Sequence, residues 1–184
     1  METSGAAHDD SVIFRYCPAC AGARIMCDRG RRWHCPDCGF EYFHNVATAS
    51  GVIIETPQGI VLLERAKEPG RGLYSLPGGF IDPGEGALEG TLRECREETG
   101  WTPRDLRFLC SFPNRYEYRS IVYDTCDLYF AARASMEEIA SFILDPAEAS
   151  GILVADGTGI PWEKIAFPSA SKALRQYIQS EAVR

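Results

Sequence analysis

The sequence predicts a mixed α/β domain over residues 45–184, preceded by a small four-cysteine module over residues 13–44. Three observations carry that expectation. Short β-branched runs alternate with amphipathic stretches from residue 45 onward, the pattern of a sheet covered by helices. Two Cys-x-x-Cys pairs, Cys17/Cys20 and Cys35/Cys38, stand ahead of them in a segment punctuated by Pro and Gly. A length of 184 residues with 45% apolar and 24% charged side chains suits one medium globular core with a small appendage.

Taken in order, residues 1–12 are expected to form a flexible tail. Met1 to Asp10 is polar and acidic, with no basic segment leading into an apolar one, so no secretory signal is expected. No uninterrupted run of about 18 apolar residues occurs, so no membrane span is expected. The eight cysteines then read as a metal site plus buried thiols, not as a disulfide framework, and the expected compartment is cytoplasmic. In the main domain, Thr48 to Glu55 reads as a strand centred on Val52, Ile53 and Ile54. Pro57-Gln58-Gly59 supplies turn chemistry, and Ile60 to Glu64 returns as a second strand. A Gly- and Pro-rich loop runs from Ala66 to Gly84. Gly86 to Thr99 has helical periodicity, closed by Gly100. Leu106–Ser111 and Ile121–Ala132 read as further strands, Met136–Phe142 as a short helix and Ser169–Gln179 as a C-terminal one.

On the helix after the loop, Leu88, Leu92, Cys95 and Thr99 recur at spacings of four, three and four, which predicts a stripe packed on the sheet. Glu94, Glu97 and Glu98 fall at i, i+3 and i+4, so their side chains share another face. A solvated acidic face is the ordinary reading of such a trio. The preceding Leu76-Pro77-Gly78-Gly79 changes it, because glycines there let the backbone approach closely and reach positive φ just before the helix. Hard oxygen ligands on one face suit Mg²⁺ or Mn²⁺, which complete an octahedron with phosphate oxygens and water.

The register of these residues is specific. Gly79 is followed after five residues by Glu85, and Glu85 after seven by Arg93-Glu94-Cys95-Arg96-Glu97-Glu98-Thr99-Gly100-Trp101. This resembles the Nudix signature at every glycine and charged position. Cys95 and Trp101 depart from the usual aliphatics but remain apolar. The resemblance implies an α/β/α sandwich around a mixed sheet, and an enzyme that hydrolyses a nucleoside diphosphate linked to another moiety, such as ADP-ribose, NADH or a nucleotide-sugar. It further implies that Glu94, Glu97 and Glu98 hold catalytic Mg²⁺ or Mn²⁺, that the Gly79 carbonyl adds a ligand, and that Glu85 and Arg93 brace the loop and orient the glutamates. Bound metal would polarise the phosphoryl group and lower the pKa of a water. Glu94, Glu97 and the loop acid Glu148 are candidate bases. The alternatives within reach are a nucleoside triphosphate house-cleaning pyrophosphatase and a non-catalytic nucleotide- or nucleic-acid-binding Nudix protein.

The pairs Cys17-Pro18-Ala19-Cys20 and Cys35-Pro36-Asp37-Cys38 have the spacing of a tetrahedral, four-thiolate zinc site of the ribbon type. Such a closed site stabilises a fold and does no chemistry. Gly39 suits the positive-φ turn of the second knuckle, where the first has Ala21-Gly22. A zinc ribbon ahead of a Nudix domain resembles the architecture of the NADH pyrophosphatase family. That family's downstream Ser-Gln-Pro-Trp-Pro-Phe-Pro motif is not matched by Ser111-Phe112-Pro113-Asn114-Arg115-Tyr116. Arg29, Arg31, Arg32 and Trp33 give the ribbon a small basic–aromatic face. The net charge of −7 nevertheless argues against general nucleic-acid binding. A small-molecule nucleotide is the expected partner, with Arg65, Lys67 and Tyr116 as candidate substrate contacts. The resemblance alone implies a homodimer.

Overall fold

The computed structural model describes residues 13–118 and 121–181. The tail expected over residues 1–12 lies outside the described residues. The chain divides into two compact units, Met1–Val46 and Ala47–Arg184.

In the first unit, strands β1 (Met26–Asp28), β2 (Arg32–His34) and β3 (Glu41–Phe43) form a small antiparallel sheet. Strands this short bury little, and Trp33 on the central strand is the main apolar anchor. It is fully buried, with Phe14 packed edge-on at 5.3 Å between ring centroids. The two cysteine knuckles fold alike. Cys17 N–H donates to Gly22 O at 2.9 Å and Ala21 N–H to Cys17 O at 2.8 Å; Cys35 N–H donates to Phe40 O at 2.9 Å and Gly39 N–H to Cys35 O at 3.0 Å. The equivalent residues Ala21 and Gly39 both take positive φ, 59° and 75°. The first knuckle therefore places an alanine where the second places a glycine, and Gly22 supplies the carbonyl that closes the turn without itself taking positive φ.

The second unit is a six-stranded mixed sheet with helices on both faces. Its strands are β4 (Ala47–Thr56), β5 (Gly59–Arg65), β6 (Tyr74–Ser75), β7 (Arg107–Tyr118), β8 (Ile121–Arg133) and β9 (Ala149–Ala155). The order is β6-β5-β4-β8-β7, with β9 on β5. β4 and β8 run parallel and the other pairs antiparallel. Helices α1 (Ala87–Thr99) and α2 (Met136–Ala140) contribute Cys95 and Ile139 to one core with Val52, Ile54, Val61 and Leu63. Helix α3 (Pro168–Glu181) closes the other face, where Ala170, Ala173, Leu174 and Tyr177 meet Ile53, Leu62, Tyr129 and Ala131. Residues alternate between the two cores along β4 and β5, as the pleat requires. Among the described residues no helix is long and apolar enough to cross a membrane.

Several expectations are corrected. The stripe on α1 buries Thr91, Cys95 and Thr99, whereas Leu88 is exposed. The threonines tolerate burial because each hydroxyl donates to the carbonyl one turn back: Thr91 to Ala87 O and Thr99 to Cys95 O, both at 2.5 Å. The strand expected over Leu106–Ser111 continues to Tyr118, since it pairs with β8 in a long hairpin. Strand β9 and the short β6 have no place in the sequence reading. Ile152–Val154 is too short a signal alone, and β6 exists only through its pairing with Leu63 and Glu64.

One feature of this sheet positions the site. β4 and β5 pair only at their hairpin end, through Ile54↔Val61 to Thr56↔Gly59, and then diverge. The Gly-rich loop fills the wedge. Val52 N–H donates to Pro77 O (2.8 Å), Ser50 N–H to Gly79 O (2.8 Å), and Ile81 N–H to Thr48 O (3.0 Å). The loop is thus strapped to the start of β4 like an extra strand.

Candidate active site

The loop that fills the wedge delivers α1 against the sheet. Arg93, at the midpoint of α1, organises the acidic residues around it. Its Nε and Nη2 donate to the two oxygens of Glu85 at 2.7 and 2.9 Å, the bidentate geometry only a guanidinium supplies. Nη2 also reaches Phe80 O at 3.0 Å, while Nη1 donates to Glu94 at 2.8 Å and to Glu97 at 3.0 Å. Glu85 further accepts from the Asp82 amide at 3.1 Å. Hydrogen bonding to Arg93, then to that amide, holds the Glu85 carboxyl below its ordinary pKa. Glu85, foremost, and Glu94 raise the Arg93 guanidinium still further, so its charge is permanent.

The other carboxylates are placed differently. Glu98 Oε2 accepts from the Gly78 amide at 2.9 Å. Burial pushes its pKa up to about 8; the Gly78 amide opposes the rise, and Glu94 and Glu148 add to it. Glu94 is also raised, chiefly by burial, with Glu97 and Glu148 contributing against Arg93. Glu97 stays exposed at the rim. A desolvated, mutually repelling carboxylate group of this kind gains most from an added cation.

These residues line a cavity of about 490 Å³, together with Arg65, Lys67, Gly79, Tyr116, Asp127, Glu148 and Phe167. The structure therefore brings the sequence-predicted Gly79, Glu94, Glu97, Glu98, Arg65, Lys67, Tyr116 and Glu148 to one cavity. Arg93 and Glu85 are joined to them by hydrogen bonds, and the four cysteines lie in the first unit. Not all of the lining residues present a free side chain. Lys67 is ion-paired with Glu148. Arg65 Nε donates to Pro69 O at 2.7 Å, and its guanidinium lies 4.9 Å from the Phe167 ring centroid. Tyr116 sits edge-on to Phe80 at 5.3 Å and tilted on Phe167 at 5.9 Å. The Gly79 carbonyl already accepts from Ser50 and keeps one lone pair.

The donor set fits a hard divalent ion. The site offers carboxylates and a backbone carbonyl, and a Cβ on Gly79 would stand 2.6 Å from the Glu94 carboxylate. Only glycine lets that carboxylate lie against the loop. Among the described residues, however, the only group of three or more His, Cys, Asp or Glu side chains with ligand atoms all within 4.8 Å is Cys17, Cys20, Cys35 and Cys38. Glu94 and Glu97 share Arg93, and Glu98 is turned to the Gly78 amide. The sulfur separations in the cysteine cluster include 3.6 Å for Cys17–Cys38 and 3.8 Å for Cys20–Cys35. A tetrahedron with zinc–sulfur bonds of about 2.3 Å has edges of about 3.8 Å, so the cluster is compatible with a zinc ribbon.

Sequence reasoning missed three contributors: the Phe80 carbonyl and Asp82 amide that tie Arg93 and Glu85 to the loop, and the buried Asp127. Backbone groups leave no trace in sequence. Asp127 does, as a charge at an inward position of a strand.

Residues 45–164 match the NUDIX domain family. The chain belongs to that family. Its curated relatives include an ADP-ribose pyrophosphatase of Methanocaldococcus jannaschii, 41% identical over 63 residues, or 34% of this chain and 37% of that protein. The NAD-capped RNA hydrolase NudC of Chromobacterium violaceum is 33% identical over 97 residues, or 53% of this chain and 36% of that protein. This Nudix chain thus matches little more than a third of the length of either relative. Among solved structures, a NUDIX hydrolase from Nitrosomonas europaea superposes with a TM-score of 0.61 at 25% identity, covering 90% of this chain and 91% of that one. The NUDIX domain of Shewanella oneidensis NrtR, solved with ADP ribose, superposes at 0.57 with 21% identity, covering 81% and 92% respectively. At that identity the second likeness shows the Nudix fold alone.

Proposed function

We propose that this Nudix chain is a divalent-metal-dependent hydrolase that opens the pyrophosphate of a nucleoside diphosphate linked to a second moiety, in the class of ADP-ribose, NADH or a nucleotide-sugar. One observation carries the reading. A single cavity of about 490 Å³ joins the carboxylates of α1 to an aromatic end formed by Phe80, Tyr116 and Phe167. Its size lies in the range of small-molecule sites, and its two ends suit a phosphate group and a flat ring. The names of the two curated relatives support the same substrate class.

In this reading Glu94 and Glu98, with Glu97 at the rim and the Gly79 carbonyl, hold the metal. When bound, the metal offsets phosphoryl charge and makes a coordinated water more acidic. Arg93 and Glu85 do not touch substrate; they fix the rotamers of Glu94 and Glu97 and clamp the loop to the helix. Glu148 shares the cavity with Glu94 and Glu98, and Lys67 holds it in place. It is the carboxylate assigned to accept the proton of the attacking water. The ribbon cysteines hold a structural Zn²⁺ and stabilise the first unit.

The test is product analysis over NADH, NAD, ADP-ribose, nucleotide-sugars and nucleoside triphosphates with Mg²⁺ or Mn²⁺. Release of a nucleoside monophosphate from a diphosphate-linked substrate is expected. Turnover of triphosphates alone would redirect the assignment to house-cleaning chemistry, and none on the whole panel would refute the hydrolase reading.

A further inference from the structure

The aromatic end of the cavity has a polar floor that the hydrolytic chemistry does not use. Thr125, Asp127, Tyr129 and Ala131 alternate onto the α3 face of β8, where the last two belong to the apolar core. Asp127 interrupts that face with a carboxylate only 6% exposed. Among the described residues its hydrogen-bond partners are hydroxyls. Thr125 Oγ1 donates to Oδ1 at 2.6 Å, and Ser169 Oγ, at the start of α3, donates to Oδ2 at 2.6 Å. Tyr129 OH donates to Ser169 Oγ at 2.8 Å and lies at a longer 3.5 Å from Asp127 Oδ2. Burial raises the Tyr129 pKa well above that of a free phenol, so its proton stays in this chain.

Counting protons decides what the floor offers. Each hydroxyl has one, and all three point along the chain toward Asp127, directly or through Ser169. A carboxylate has about four acceptor sites. Two receive these short bonds, and the remainder belong to a residue lining the cavity. The floor is therefore a desolvated acceptor whose own donors are spent. It disfavours phosphate and carbonyl oxygens, and a ligand must bring the N–H or O–H.

The neighbouring groups specify which. Phe167 precedes Ser169 by two residues, so the ring wall and the polar floor share one chain segment. Tyr116 lies on the same face of β7 as Asn114, the register partner of Thr125. A flat ring seated against Phe80, Tyr116 and Phe167 thus has its edge near Asp127. We propose that Asp127, held by Thr125, Ser169 and Tyr129, is a specificity-determining residue that selects a purine carrying an amino group. This rests on the reading of the cavity as a nucleotide site. It contrasts with a purely structural role for Asp127 at the N-terminus of α3, which would stabilise the helix without discriminating between ligands.

The test is equilibrium binding by calorimetry on the full chain, which needs no turnover. AMP is compared with purine riboside 5′-monophosphate, which has the same ring, sugar and phosphate but no amino group. A hydrogen bond to a buried charge predicts AMP binding about ten- to a hundredfold tighter, with GMP also preferred over the riboside. In Asp127→Asn that preference collapses to within a few-fold. Equal binding of AMP and the riboside by the wild type overturns the proposal, and so does an unchanged preference in a folded Asp127→Asn. If the variant does not fold, the wild-type ratio decides alone. AMP selectivity without turnover on the substrate panel leaves this inference standing and removes the hydrolase reading. Turnover with equal binding does the reverse.

Discussion

Gly78 is the position where the strapped loop is least forgiving. It adopts φ +144°, and a Cβ there would stand 2.1 Å from Ser50 O and 2.8 Å from Gly51 Cα. Those are backbone atoms of the central strand and cannot swing aside. Gly78→Ala must therefore lift the loop, and the bonds at stake are Val52 N–H to Pro77 O and Ser50 N–H to Gly79 O, each 2.8 Å. Losing them removes about 1 kcal/mol apiece, and the non-glycine φ adds about 1–3 kcal/mol. The expected destabilisation is about 3–5 kcal/mol, a fall in Tm of about 10–15 °C for a unit of this size. Gly72→Ala is the control. It too has positive φ, +79°, but nothing lies within 4 Å of its Cβ, so only the dihedral cost of about 1–2 kcal/mol applies. Scanning calorimetry and urea unfolding of both variants measure the difference. Equal melting of the two would refute the crowding argument. Activity should fall with Gly78→Ala even below its Tm, since the Gly78 amide that holds Glu98 moves with the loop.

Four further outcomes follow from the structure. Glu98→Gln should lower turnover at least a hundredfold with a melting curve near that of the wild type; near-normal activity would remove Glu98 from the proposed metal site. Leu174→Ala empties a fully buried position on α3 and should destabilise the second unit by about 2–5 kcal/mol, read from urea unfolding. Ala21→Gly relieves a positive φ at the first knuckle and should stabilise the first unit by about 0.5–1 kcal/mol; a loss of stability would contradict it. Removing zinc with a chelator should abolish the fold of the first unit, seen as loss of Trp33 burial by fluorescence, and a metal-free preparation with unchanged fluorescence would reject a structural ion.

The site was legible wherever chemistry forces residue identity at fixed spacing. Gly79, Glu85, Arg93, Glu94, Glu97 and Glu98 are related along one loop and one helix, so their geometry is local and survives in sequence. The same holds for the four cysteines, whose knuckles are turns within a few residues. Strands β4, β5 and β8 were readable because their apolar runs are long. The edge strands were not: β6 is two residues whose conformation depends on β5, and β9 carries an unremarkable run that pairs across most of the domain. On α1 the expected Cys95 and Thr99 are buried, but Leu88 is exposed and Thr91 takes a core position instead. Sequence hides that exchange because leucine outranks threonine on any hydropathy count. Threonine reaches the core there by giving its hydroxyl to its own helix.

By itself, then, the sequence determined the family, the acidic helix with its bracing arginine, and the four-cysteine cluster, all consequences of short-range spacing. Only the tertiary structure decided that β4 and β5 part to admit the glycine loop and that Lys67 is engaged by Glu148. It alone brought Asp127 into the lining of the same cavity as Phe80, Tyr116 and Phe167, which come from three separate segments. Those facts depend on contacts between distant parts of the chain, where a strand's pairing partner, and so the direction of each side chain, is set by packing that no local pattern encodes.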